Sequence, residues 1–236
     1  MKQLRNQQNL INKLKNMKKV FTLSIMLIFS FTLYALNIKE KIARIQGTAL
    51  PFNCTKTAPW GKTIYNLSSS ELGSLPLHTY KDLGLTERTT YETSARIFRK
   101  FQTNNRSYIV IALSIGESDP NKQLLATFNE EGTVIDFLEA GVYFITSERL
   151  YIKQWRIKED STVIITHLQL IDTVPIMFYS SFSSVQAQRV DTYYKIDSSG
   201  KFQEIKQVKY QPRTYTKTYL EDKTKNLWEG HEALME

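Results

Sequence analysis

The sequence predicts a mainly β protein: an antiparallel meander forming a sandwich, a barrel or propeller-like sheets, with a separate N-terminal apolar helix. Three observations carry that expectation. In Tyr108–Ile115 the residues Ile109, Ile111, Leu113 and Ile115 alternate, as on a strand with one face on a core. Two stretches, Phe128-Asn129-Glu130-Glu131-Gly132-Thr133-Val134 and Ile196-Asp197-Ser198-Ser199-Gly200-Lys201-Phe202, share one hairpin signature. In it Asn or Asp starts a type I turn and Gly takes the positive φ that closes the loop. Finally, strand follows strand with no helical period between, which argues against a βαβ architecture.

The chain begins with a different signal. Val20–Leu36, VFTLSIMLIFSFTLYAL, is apolar and uncharged and follows Lys18 and Lys19. Residues 1–36 read as a signal peptide or a signal anchor, with Met17 as an alternative true start. The charges before the run, Lys2, Arg5, Lys13, Lys15, Lys18 and Lys19, are all positive. That bias places the N-terminus in the cytoplasm and the rest outside the inner membrane, in the periplasm or beyond, or anchored in that membrane by an uncleaved helix.

Residues 37–93 read as an irregular segment of short elements. Asn37 and Glu40 have capping-box spacing, and Ile38, Ile42 and Ile45 recur at helical period, so a short amphipathic helix opens it. An anchored chain makes that helix a stalk; a cleaved one makes it a mobile new terminus. Pro51, Pro59, Gly61, Gly73, Pro76 and Gly84 then interrupt any pattern, with Lys62–Leu67 as a strand candidate.

The β core spans 94–210. In Ser94–Gln102 the period of two puts Ala95, Ile97 and Phe101 on one face. Leu150–Lys158 reads as a strand, and Thr162–Asp172, apolar on both faces in its first half, as a central one. In Ala187–Ile196 one side is Gln188, Val190, Thr192, Tyr194 and Ile196. The hairpin glycines lie 68 residues apart, which fits a duplicated unit or convergence on the same local turn. Residues 211–236 form a C-terminal tail in which Leu220, Leu227, Trp228 and Leu234 suggest a weak helix or a frayed end.

Charge and cysteine exclude two classes. The formal charge is +8, but residues 1–35 contribute six Lys or Arg and no acid, leaving 25 basic against 23 acidic residues. An even mixture lacks the concentrated basic surface that nucleic-acid binding needs, so no nucleic acid is expected as a partner. Cys54 is the sole cysteine, which forbids an intrachain disulfide and reads as a small buried hydrophobe.

Catalytic and metal motifs fail on spacing. Gly61-Lys62-Thr63 lacks the upstream Gly of a phosphate loop, since Lys56 stands there. His231-Glu232-Ala233-Leu234-Met235 has Met where a zinc helix needs its second His. His167 falls in a strand without a second ligand, and Glu117–Asn121 lacks the Gly and distal Glu of a calcium loop. No cofactor or metal is expected. In its Met17-Lys18-Lys19 start and its Asn/Asp-x-x-Gly hairpins the chain resembles exported β-rich proteins of Gram-negative bacteria, a likeness that assigns no residue a role.

Aromatics carry the functional expectation, with 13 Tyr in the chain. Tyr193 and Tyr194 are adjacent on a strand, so one faces away from the core, and Tyr210 follows. Tyr on a rigid sheet stacks on sugars or docks proteins. The expected function is therefore an exported, non-catalytic binding or interaction module of the bacterial cell envelope, with a protein or glycan as partner. The alternative is an envelope hydrolase whose acid–base pair comes from Glu117, Asp119, Asp136 and Glu139.

Overall fold

The computed structural model describes residues 37–54, 64–67, 71, 95–103, 107–115, 122–145, 150–171, 183–222 and 224–235. Val20–Leu36, Gly61-Lys62-Thr63, His78, Glu117 and Asp119 lie outside them. Among the described residues no helix is long and apolar enough to cross a membrane.

Eleven antiparallel strands form one open sheet. They are β1 (Phe52–Cys54), β2 (Tyr65–Leu67), β3 (Ala95–Phe101), β4 (Ile109–Ile115), β5 (Lys122–Phe128), β6 (Val134–Ile145), β7 (Leu150–Ile157), β8 (Val163–Leu170), β9 (Ser184–Ile196), β10 (Phe202–Lys209) and β11 (Arg213–Thr216). From β2 to β10 each strand pairs with the next, so the predicted meander is the fold. The sheet does not close, which removes the barrel among the expected forms.

The sheet turns its corner at β6. That strand pairs with β5 up to Val142 and with β7 only from Val142 onward. The rest of the β7 edge, at Trp155–Ile157, is taken by β1. The two halves thereby face each other across a shared core of Phe98, Phe101, Val110, Leu125, Ala140, Trp155, Val163 and Ile165, packed by Tyr194, Ile196 and Phe202. The β9–β10 turn secures this closure from one side. Thr127 donates its hydroxyl to the Gly200 carbonyl at 2.6 Å, and Phe202 N–H donates to Asp136 Oδ2 at 2.8 Å.

Each half has a second, outer face, and each is covered. Helix α1 (Ile38–Arg44), capped by Asn37 Oδ1 accepting from Glu40 N–H at 2.9 Å, covers the β2–β5 half. It buries Ile42 and Ile45 against Ile97, Ile111, Leu113 and Phe128. The amphipathic helix read from the sequence is therefore docked, neither stalk nor mobile end. The other half is covered by the C-terminal segment: β11 on the edge of β9, the short helix α2 (Lys217–Glu221) and a 3₁₀ turn at Leu227–Glu229. Leu220 and Leu227 are buried against Ile152, Leu168, Val185 and Ala187. Burial of that stripe, not helix propensity, holds the tail in place.

One strand face departs from the period-two reading. Ala95 and Ile97 lie on the α1 side, but a bulge between Ile97 and Arg99 flips the strand, and Phe101 joins the inner core. A polar node also sits inside that core. Gln123 Oε1 accepts from Trp155 Nε1–H at 2.7 Å and from the Cys54 thiol at 3.2 Å. Gly141, opposite Gln123, leaves it room, since a Cβ there would come within 2.3 Å of Oε1. Cys54 is free and buried as expected, and burial pushes its thiol pKa well up.

Among the described residues three hairpins, not two, use the predicted turn. Asn129 N–H bonds the Thr133 carbonyl, Asp197 N–H that of Lys201, and Lys158 N–H that of Thr162. Gly132 and Gly200 have φ of 83° and 89°; the third turn has Ser161 at 64° in the glycine position. The three positions are 29 and 39 residues apart, and each turn is built by the same local chemistry. A non-glycine residue there costs about 1–2 kcal/mol, and glycine returns about 0.5–1 kcal/mol of that through the unfolded chain. Ser161→Gly should therefore stabilise the protein by about 0.5–1 kcal/mol. A urea midpoint that does not rise at constant m would refute this.

Candidate functional site

The strand β9 decides where the predicted aromatic residues go. Its register sets Val190, Thr192, Tyr194 and Ile196 toward the inner core, and Arg189, Asp191 and Tyr193 toward the opposite, outer face. Tyr194 is thus half-buried packing for the core. Tyr193 and Tyr210 share the outer face, both half-buried, and each has a cation stacked on its ring. Lys206 Nζ sits 4.6 Å from the Tyr193 centroid and the Arg189 guanidinium 4.2 Å from that of Tyr210. Leu234, 61 % exposed, pairs with Tyr210 across an isolated antiparallel bridge and extends the same face. The structure therefore brings together Tyr193, Lys206, Tyr210 and Leu234, and separates Tyr194 from them.

Beneath this ledge lies a buried ionic network. Asp191, fully buried, is gripped bidentately by Arg189 at 3.0 and 2.7 Å, with Arg156 at 3.6 Å. Tyr210 donates its hydroxyl to Asp191 at 3.4 Å. Arg189 also reaches Glu232 at 3.3 Å, and Tyr215 donates to Glu232 at 2.9 Å. Arg213 Nε lies 3.0 Å from Glu232 as an ion pair without hydrogen-bond alignment. The guanidinium of Arg213 stands over the rings of Tyr215 and Tyr219, and that of Arg156 over Trp228. Burial alone lowers the Arg189 pKa; the bonds and charge of Asp191 outweigh it and leave the group above its ordinary value. Burial, aided by the Asp191 charge, raises the Tyr210 pKa.

The proposed carboxylate pair finds less support in the geometry. Asp136 is spent on backbone, accepting from Phe137 N–H at 2.9 Å and Phe202 N–H at 2.8 Å. Glu139 instead holds Lys153 at 2.7 Å, so the two serve different neighbours. His167 stands opposite Lys153 in the β7–β8 register. Burial, then the Lys153 charge, pushes its pKa down to about 4, against a weaker pull from Asp191. Among the described residues no group of His, Cys, Asp and Glu could hold a metal ion.

The sequence singled out Tyr193, Tyr194 and Tyr210 but not which two share a face, and the ions behind them were not visible. Arg189-x-Asp191-x-Tyr193 places three polar residues on one face of a strand whose other face carries Val190, Tyr194 and Ile196, a pattern that ordinarily means solvent. Only the returning tail converts that face into an interior. Glu232, dismissed above as half of a failed zinc motif, has a fully buried side chain.

No family model, no curated protein and no solved structure matches this chain.

Proposed function

We propose that the chain is an exported, non-catalytic binding module of the bacterial cell envelope, and that Tyr193 and Tyr210 form its contact surface for a glycan or protein. The observation that supports this most is the cation-stacked pair on one face of β9–β10, each ring already held by a partner. Such rings lose little conformational freedom on binding, which is what makes Tyr effective at contacts. The neighbouring Leu234 adds exposed apolar area. Export is supported by Val20–Leu36 and the basic residues before it.

The test begins with cell fractionation of the full chain, followed by capture of envelope extract on it and identification of bound glycan and protein. The chain is expected outside the cytoplasm, with a specific partner retained. Tyr193→Ala with Tyr210→Ala should weaken retention by about tenfold or more, while Tyr194→Ala affects stability alone. Cytoplasmic fractionation removes the export reading. A partner indifferent to the double substitution removes the surface. Turnover of an envelope polymer by the purified chain replaces the binding class with the hydrolase.

A further inference from the structure

A groove of about 310 Å³ opens between the C-terminal end of α1 and the edge of β3, far in sequence from the tyrosine ledge. Arg44, Ile45, Gln46, Gly47, Thr48, Ile64 and Arg99 line it. The volume is at the small end of ligand sites, which run from about 300 to 1,000 Å³. Its lining includes Arg44 and Arg99 and no acidic residue. Elsewhere among the described residues arginines are absorbed: Arg156, Arg189 and Arg213 all lie within reach of Asp191 or Glu232. Arg44 and Arg99 form no such ion pair with a described residue. Among the described residues Arg99 donates one N–H to the Phe98 carbonyl at 2.9 Å, a neutral partner that leaves its charge without a carboxylate.

The floor is fixed. Thr48 N–H bonds the Lys100 carbonyl at 2.7 Å, and Gln102 N–H returns to the Thr48 carbonyl at 3.0 Å, so the Gly47–Thr48 segment is stitched to β3. Ile45 is buried beneath it. Lys100, the next cation on β3, turns away to cap the helix by donating to the Ile42 carbonyl at 3.1 Å. It thereby adds a second bond to a carbonyl at that helix end, which already accepts from Ile45 N–H at 3.2 Å. Arg44 and Arg99 thus both belong to the wall of one hollow, polar and apolar in its lining, on a rigid frame. Two arginines in the wall of a small hollow suit a compact oxyanion, which guanidinium groups grip through paired N–H donors.

We propose that this groove is a binding site for a compact polyanion carrying phosphate or carboxylate groups, a function beyond the tyrosine surface and independent of it. The probes are inorganic phosphate, glycerol phosphate and succinate, each titrated into the full-length chain at constant ionic strength made up with sodium chloride. Binding is read by calorimetry and by thermal unfolding. A saturable signal for at least one probe is expected, and the preferred probe tells a phosphate source from a carboxylate one. Arg44→Ala and Arg99→Ala should each weaken it about tenfold or more, and Arg99→Lys should weaken it less. Tyr193→Ala with Tyr210→Ala should leave it unchanged, so failure here is distinct from failure of the ledge. Circular dichroism verifies that each variant is folded, and Arg99→Lys keeps the charge if Arg99→Ala does not fold. A response that fails to saturate, or that persists in the doubly substituted Arg44→Ala, Arg99→Ala chain, overturns the proposal.

Discussion

Asp191→Ala lowers the unfolding free energy by about 3–5 kcal/mol, the cost of leaving a buried charge without its partner. Asp191 has no exposed side-chain area, and the Arg189 side chain is only 5 % exposed. With the carboxylate gone, Arg189 keeps one contact to Glu232 at 3.3 Å and the Tyr210 ring. Neither replaces two charge-assisted bonds at 3.0 and 2.7 Å. Against a domain stability of about 5–15 kcal/mol, that is a large share. The loss reflects the orphaned charge more than any intrinsic worth of the pair. Asp191→Leu combined with Arg189→Met, which removes both charges, should therefore recover most of it. Urea unfolding of the three variants decides the matter. A single substitution costing under about 1 kcal/mol would mean that water reaches Arg189 and that the network is a surface feature.

The same network shows where reading the sequence stops. Strand identity was legible wherever one local rule sufficed. The period of two in Tyr108–Ile115 and the turn chemistry at Asn129–Gly132 and Asp197–Gly200 need only neighbours in the chain, and both hold in the fold, although that strand buries its second face, Val110 and Ala112, as well. The two-sided apolar run of Thr162–Asp172 marked the central strand β8 in the same way. What failed were features with a non-local cause. The bulge in β3 sent Phe101 to the opposite face, and nothing in the residues 95–101 themselves announces it. Ser161 carried a glycine's dihedral, so a search keyed on Gly passed over that hairpin. The candidate site divided along the same line. That only one of Tyr193 and Tyr194 faces outward follows from strand geometry, whereas the outer face of β9 becomes an interior only because Gln211–Met235 returns across it. Arg44 and Arg99, 55 residues apart, line one groove for a comparably long-range reason.

Between pH 6.5 and 4 the protein should lose about 2 kcal/mol of stability through His167 alone. Burial and the Lys153 charge hold the native imidazole at about 4, against 6.5 for an ordinary histidine. The native pKa is the depressed one, so the unfolded chain binds the proton first as pH falls. The contribution of His167 is therefore fully present above pH 6.5 and is lost as pH drops through about 4. Taken whole, that gap corresponds to about 3 kcal/mol, and partial exposure of the ring reduces it toward about 2. Removing the Lys153 charge should shrink the effect, so Lys153→Met is expected to move the His167 pKa upward, back toward its ordinary value. His167→Gln should flatten the stability profile across this window while leaving stability at pH 8 closer to that of the parent chain. With three histidines in the chain, proton resonances of the imidazole rings can be followed one by one. A His167 resonance titrating at 6 or above in the native protein, or an unchanged profile in His167→Gln, would show that the ring is solvated and that acid acts elsewhere.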